Sequence, residues 1–345
     1  MTYRFNSDYT EGCHEAVLAK LVETNMEQTD GYGLDPYCDK ARALIKETFA
    51  CPDADVHFLV GGTQTNLTVI CAALRPHQAV YASVPSHINT HEAGAIEHVG
   101  HRVLPLPTTD GKLTAEQIRT EWTSYAKDPN REHWAQPKMV YISQPTEIGS
   151  MYSKKELTEL YAACREAGLY LFIDGARLGY ALGAPDNDMT PAELAANCDV
   201  FYIGGTKCGL LFGEAVVILN DALKSDFRTI AKQCGSILAK GRLLGIQFGA
   251  IMEGGLYFKI CGRAVRQALK IRDALRERGF KFITPSPTNQ QFIAMTAEQY
   301  AALSKEFALS HSGYLPDGSY SVRICTSWAT KDEEVGKLIG MIRKL

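Results

Sequence analysis

The sequence predicts an α/β fold, a mostly parallel sheet flanked by helices, followed by a smaller C-terminal α+β part. Three observations carry this. First, within residues 169–213 two short apolar runs, Leu169–Ile173 and Val200–Ile203, bracket the helical Pro191-Ala-Glu-Leu-Ala-Ala. Thr190 stands as its N-cap and Pro191 at the first helical position. Strand, helix, strand at this length is a crossover between neighbouring parallel strands. Second, Val56–Val60 passes through Gly61-Gly62-Thr63 into the helical run Leu67–Leu74, the order by which such folds offer backbone N–H groups at a helix start. Third, the character changes after Gly245. A helical stretch, Ile246–Arg278, bends at Gly254-Gly255 and is followed by short strands at Phe280–Thr284, Gln291–Met295 and Ser321–Cys325. The expected division is a large part, residues 1–245, and a small one, residues 246–345.

The remaining elements follow in order. Residues 1–12 read as an extended arm, and Cys13–Thr24 as a helix with Val17, Leu18 and Leu21 on one face. Gly31-Tyr32-Gly33-Leu-Asp-Pro36 is a turn-rich loop, and a helix spans Tyr37–Phe49. Strands are expected at Ala79–Ala82, Val103–Leu106 and Met139–Ser143. Helices are expected from Ser86, over Thr114–Trp122, where Thr114 and Gln117 have capping-box spacing, and over Lys154–Gly168. Gly213–Leu219 reads as the antiparallel edge of the sheet. Phe227–Gly249 reads as a long helix carrying Lys232, Lys240 and Arg242. In the small part, Thr296–Phe307 and Lys331–Arg343 are helical.

Composition narrows the function. The chain has 345 residues, 46% apolar and 22% charged, with a net charge of -3, so it lacks the basic footprint of a nucleic-acid binder. No run approaches the roughly 18 apolar residues of a membrane span, and MTYRFNSDYTEG has no signal-peptide core. The ten cysteines are scattered without a C-x-x-C pair; free thiols in a reducing cytosol explain them better than a disulfide framework. The expectation is a cytoplasmic enzyme acting on a small molecule.

Which molecule depends on Asp174 and Lys207, at the ends of adjacent strands. Open α/β sheets bind ligands beyond the carboxyl ends of their strands, so the two converge at one mouth. A plain ion pair is the simpler reading. However, Lys207 lies in the otherwise uncharged Gly204-Gly-Thr-Lys-Cys-Gly, where desolvation lowers an amine's pKa and makes it a nucleophile toward an aldehyde. Pyridoxal 5'-phosphate (PLP) chemistry needs such a lysine and an acid at the pyridine nitrogen. Elsewhere, His87 and His91 share a helical face, but Ile88 stands where a zincin motif has Glu, and no third ligand is evident; no metal is expected. Arg323 interrupts an apolar strand, where an unpaired charge costs several kcal/mol, so it needs a permanent partner or an anionic ligand.

Phe172-Ile-Asp-Gly-Ala-Arg-Leu, followed after a strand by Gly-Gly-Thr-Lys207-Cys-Gly, resembles the threonine aldolase family, in the β-eliminating-lyase branch of fold-type I PLP-dependent enzymes. The resemblance runs from Ser7 to Arg323. It implies a PLP-dependent lyase cleaving β-hydroxy-α-amino acids, L-threonine or L-allo-threonine to glycine and acetaldehyde, at the interface of a homodimer or homotetramer. It implies that Gly62 and Thr63 (with Asn66, the Gly-Thr-x-x-Asn signature) cradle the cofactor phosphate and that His87 lies on the cofactor ring. Arg177, Arg323 and Ser7 would hold the substrate carboxylate, and Tyr32 would reach the site from its loop. Lys240, beside Ala239 where the family has an arginine, would contact the phosphate. The chain departs from the family at Glu147, where many members carry histidine after the threonine. Either His87 or Glu147 would take the proton of the β-hydroxyl. Glu147 also keeps open a β-eliminating lyase or an aldolase for another β-hydroxy amino acid of the phenylserine type. A non-catalytic PLP-fold binding protein is a reading of another class, against which Lys207 and Asp174 stand.

Overall fold

The computed structural model describes residues 2–345. In chain order its strands are β1 (Tyr3–Arg4), β2 (Asp55–Leu59), β3 (Gln78–Ser83), β4 (Arg102–Leu106), β5 (Gln136–Ser143), β6 (Tyr170–Asp174), β7 (Val200–Gly204), β8 (Glu214–Ile218), β9 (Phe282–Thr284), β10 (Gln290–Met295), β11 (Phe307–Ala308), β12 (Ser310–Tyr314) and β13 (Tyr320–Cys325). Seven of them make a sheet in the order β2-β8-β7-β6-β5-β3-β4. From β7 to β4 all neighbours are parallel, while β8 is antiparallel to both β7 and β2. A four-stranded antiparallel sheet, β12-β13-β10-β9, lies in the C-terminal part.

The central parallel strands β6 and β7 are almost wholly buried because helices cover both faces. Along β6 the side chains alternate between two cores: Leu171 and Ile173 join one, Phe172 the other. Along β7, Phe201 and Ile203 lie with the former and Tyr202 with the latter. Fully burying each such side chain contributes about 1.5–3 kcal/mol. Local signals start the surrounding helices. Thr190 caps Pro191–Ala195 with a reciprocal Glu193 bond, Ser153 does the same with Glu156 for Lys154–Glu166, and Thr114 accepts from the Gln117 N–H.

Two sequence expectations need correction. The strand expected over Gly213–Leu219 is antiparallel but is not the edge: β8 lies between β7 and β2. All five of its residues are buried, and a strand with no polar face cannot border solvent. Phe227–Gly249 is not one helix. It divides into Phe227–Gln233 and Arg242–Met252, with Gly235 at φ 73 just past the first, the usual left-handed stop. The bend at Gly254 and Gly255 is present, both with positive φ, before the helix Leu256–Glu277. The helix Leu178–Leu182 and strands β1, β11 and β12 were not foreseen.

The N-terminal arm ties the parts together. β1 pairs with β11, and the Cys325 N–H donates to the Phe5 carbonyl at 2.7 Å.

Candidate active site

The end of β6 and the turn after β7 open on one cleft of about 370 Å³, solvent-facing mouth included. Its walls include Gly62, His87, Glu147, Asp174, Arg177 and Lys207, joined by Ser143 and Tyr202. The backbone leaving Asp174 passes against β7 so closely that a Cβ on Gly175 would collide with the Tyr202 carbonyl. Glycine here is what lets the acid-bearing and lysine-bearing segments lie side by side.

Asp174 is buried and held from three directions. Oδ1 accepts from the Ala176 N–H at 2.9 Å; Oδ2 accepts from Asn66 Nδ2 at 3.1 Å and from the Tyr141 hydroxyl. This leaves an oriented carboxylate at the cleft. Lys207 faces the same space, but the ion pair of the simpler reading does not form: among the described residues its amine is in no salt bridge. Burial lowers its pKa, the Arg177 charge adds to this, and Asp8, Asp174 and Glu214 oppose it. The lysine turn is pinned by Glu214, whose carboxylate accepts from the Gly205 N–H at 3.0 Å and the Thr206 hydroxyl at 2.8 Å. Burial pushes Glu214 up to about 7 despite those bonds and the Lys207 charge.

His87 opens a four-residue helix, His87–Thr90. Its backbone N–H donates to Glu147 Oε1 at 2.8 Å, and the same oxygen accepts from Ser143 Oγ at 2.6 Å. Burial raises the Glu147 pKa, as does Asp174, against those two donors. His87 Nδ1 lies 2.7 Å from Glu92 Oε1. His91 stacks on His87, with ring centroids 5.4 Å apart and planes 18° from parallel.

The arm brings in the two arginines. Asp8, fully buried, takes Arg177 Nε and Nη2 at 2.7 and 3.0 Å, and Asn289 Nδ2 at 3.0 Å. Arg177 therefore has a permanent carboxylate partner, which sequence reasoning missed although Asp8 directly follows Ser7. Arg323 has none among the described residues. Its Nη1 donates to Gln290 Oε1 at 3.1 Å and its Nη2 to the Asn6 carbonyl at 2.9 Å, while buried Nε and the buried Ser7 Oγ have no partner. Burial lowers the His91 pKa, and the charges of His87, Arg323 and Lys207 add to this.

Five expected residues do not line this cleft: Ser7 and Arg323, described above, and Thr63, Tyr32 and Lys240. Thr63 is exposed on the first turn of the helix Gly62–Ala73, beside Gly62. Tyr32, half exposed at φ 60, borders a separate cavity with Arg42, His57 and Arg228. Lys240 lines another with Asn25, Glu27 and Arg242. The Tyr32 loop and the segment before Lys240 form one unit, because the Tyr32 N–H donates to the Ala239 carbonyl at 3.1 Å. Besides Asp8, the sequence reading passed over Glu92, Tyr141 and Glu214. Tyr141 and Glu214 lie in or at the end of an apolar run, the pattern that singled out Arg323, whereas Glu92 lies in no such run.

The residues fit PLP. An unpaired amine and an oriented buried carboxylate share one cleft, a helix begins at its wall, and the charge of an arginine with an unpartnered Nε acts on His91, which stacks on His87. A lysine amine set opposite a fixed acid defines a site for carbonyl-dependent amine chemistry on an α/β scaffold. The chain belongs to the beta-eliminating lyase family, whose profile matches residues 4–302.

A low specificity L-threonine aldolase of Pseudomonas aeruginosa is 31% identical over 99% of this chain and 97% of its own. The solved threonine aldolase of Leishmania major is 44% identical with a TM-score of 0.96, covering 99% of both chains. The fold is that of fold-type I PLP enzymes. A serine palmitoyltransferase from S. paucimobilis, solved with bound PLP, superposes with a TM-score of 0.69 over 99% of this chain and 86% of its own, at 13% identity. Among the described residues no helix is long and apolar enough to cross a membrane.

Proposed function

We propose that this chain is a PLP-dependent aldolase that cleaves β-hydroxy-α-amino acids, L-threonine or L-allo-threonine giving glycine and acetaldehyde. The observation that carries the reading is the unpaired Lys207 amine facing the same cleft as a fixed Asp174. Lys207, Asp174, His87, Gly62 and Thr63 would hold the cofactor, which when bound supplies an aldehyde carbon and an electron-withdrawing ring. Burial, reinforced by Arg177, lowers the Lys207 pKa, the direction that favours a nucleophilic amine. Asp174, its oxygens held by Ala176, Asn66 and Tyr141, would be the acid paired with the cofactor's ring nitrogen.

Arg323, with no carboxylate of its own, and the free Ser7 hydroxyl bind the substrate carboxylate. Arg177, braced by Asp8, borders that position as a second, more rigid positive charge. His87 takes the proton of the β-hydroxyl as the Cα–Cβ bond opens. Glu147 holds the His87 backbone and lines the hydroxyl side of the cleft.

Tyr32 and Lys240 border other cavities of the same protomer. We therefore infer a homodimer or homotetramer in which a second copy carries them to the cleft. The exposed apolar side chains Val22, Met26 and Leu34, near Tyr32 in sequence, support such an interface. The division at residues 245/246 and a cytoplasmic location complete the proposal, the former open to limited proteolysis. Glu147 in place of histidine favours a second reading, a related β-hydroxy amino acid as substrate or β-elimination as reaction.

The test is an absorbance spectrum of the purified protein and of Lys207→Ala, with products assayed after adding L-threonine. A chromophore that responds to the amino acid, with acetaldehyde released by the wild type alone, supports the proposal. Pyruvate and ammonia would move it to β-elimination, and no chromophore after incubation with PLP would end it.

A further inference from the structure

Glu92 lies outside every role assigned above, yet its side chain is completely shielded from solvent. A carboxylate in that position is tolerable only if N–H groups point at it. Two do so at one oxygen: Asn66 Nδ2 is 2.7 Å from Glu92 Oε1, and His87 Nδ1 is also 2.7 Å from it. Glu92 Oε2 has no partner.

Chemistry fixes the orientation of the asparagine. Its Nδ2 lies between Glu92 and Asp174 Oδ2, 3.1 Å away. Reversing the amide would aim its carbonyl oxygen at two carboxylates. The same argument applies to the imidazole. A bare Nδ1 lone pair at 2.7 Å from a carboxylate oxygen would repel it, whereas Nδ1–H donates a charge-assisted bond.

We propose that Glu92 is a positioning residue that fixes the His87 proton on Nδ1, so that Nε2 carries the lone pair. With the His87 backbone N–H held by Glu147 and its ring backed by His91, the imidazole has one orientation and one tautomer. The logic is that of an acid behind a catalytic histidine. Asn66 extends it by tying Glu92 to Asp174, so the residue behind the proton acceptor and the acid of the cofactor site share one donor. The catalytic consequence rests on the reading of His87 as the proton acceptor; the tautomer itself does not.

The test uses holoenzyme labelled with ¹⁵N-histidine and studied by solid-state NMR, the His87 signals being assigned by their loss in His87→Asn. The wild type should show His87 protonated at Nδ1. In Glu92→Leu, and more mildly in Glu92→Gln, the signal should shift toward the Nε2–H tautomer. For L-threonine, kcat should fall at least about tenfold in Glu92→Leu, with KM within about threefold. A wild-type His87 protonated at Nε2 would overturn the proposal even if neither variant folds. So would Nδ1 protonation that survives both variants. A tautomer that moves while kcat does not would uphold Glu92 as the positioning residue and remove His87 as the proton acceptor.

Discussion

Replacing Asp8 by asparagine tests how the arm and the substrate arginine are joined. Burial alone would raise the Asp8 pKa, but the charges of Arg177 and Lys207 and the bonds from Arg177 and Asn289 hold it near 2, against an ordinary 3.8. At roughly 1.4 kcal/mol for each tenfold change in proton affinity, that depression contributes about 2 kcal/mol to folding at neutral pH. The sign follows from the direction. Because the folded value is the lower one, the contribution is complete above about 3.8 and disappears as the pH falls through about 2. Asp8→Asn loses it at every pH and leaves Arg177 buried without its counter-charge, a loss of about 3–5 kcal/mol when one partner of a buried pair is removed.

Urea unfolding from pH 7 to pH 2.5, wild type and variant at one protein concentration, measures both effects. The variant should be less stable by several kcal/mol at pH 7. The difference between the two curves should shrink below about pH 4, where the unfolded wild-type chain takes up the proton that folded Asp8 resists. Equal stability at pH 7, or a difference that does not depend on pH, would refute the account of Arg177 as a residue held by Asp8.

Two further outcomes are expected. Arg323→Gln should raise KM for L-threonine by about 10- to 100-fold, the range for a lost hydrogen bond to a charged group, with a smaller change in kcat; an unchanged KM would remove Arg323 from the carboxylate site. Glu147→Gln can still accept from the His87 N–H and Ser143, so kcat should stay within about tenfold. The Glu147 pKa is raised, so a Glu147 base would lose its function as the pH falls toward that raised value. A fall of about 10²- to 10⁴-fold in the variant, together with loss of the acidic limb of the wild-type pH profile, would give the base role to Glu147.

Much of the large sheet could be read from the sequence because each strand carries its own apolar run between turn residues. Val200–Ile203 needs no tertiary information to be recognised. The position of β8 was not readable: its buried sequence identifies a strand but not its neighbours. β12, Ser310–Tyr314, reads SHSGY and has no apolar run; its pairing with β13 defines it. At the site, Asp174, Lys207 and Arg323 stood out because a charged residue interrupts or ends an apolar stretch. Asp8 and Glu92 did not, since neither interrupts or ends an apolar run. Asp8 is understood only when Arg177, 169 positions later, is placed against it. Tyr32 and Lys240 show the opposite limit. Their resemblance to a motif marks them as residues of a site, but one folded chain places them around cavities of their own.

The arm also bears on the order in which the molecule is made. Residues 2–8 precede the large sheet in the chain, yet some of their partners follow it: Asp8 meets Asn289 across 281 positions, and the Asn6 carbonyl meets Arg323 across 317. Contacts that distant carry the largest loop-closure cost and form late. The large sheet can assemble while the chain is still growing, but the Asn289 bond to Asp8 waits for β10 and the setting of Arg323 for β13. A nascent chain stalled before residue 320 would present the lysine and its acid without the finished grip on a substrate carboxylate. Competence to bind an amino acid would then arrive only once β13 has been made, so that chains lacking it do not compete for substrate.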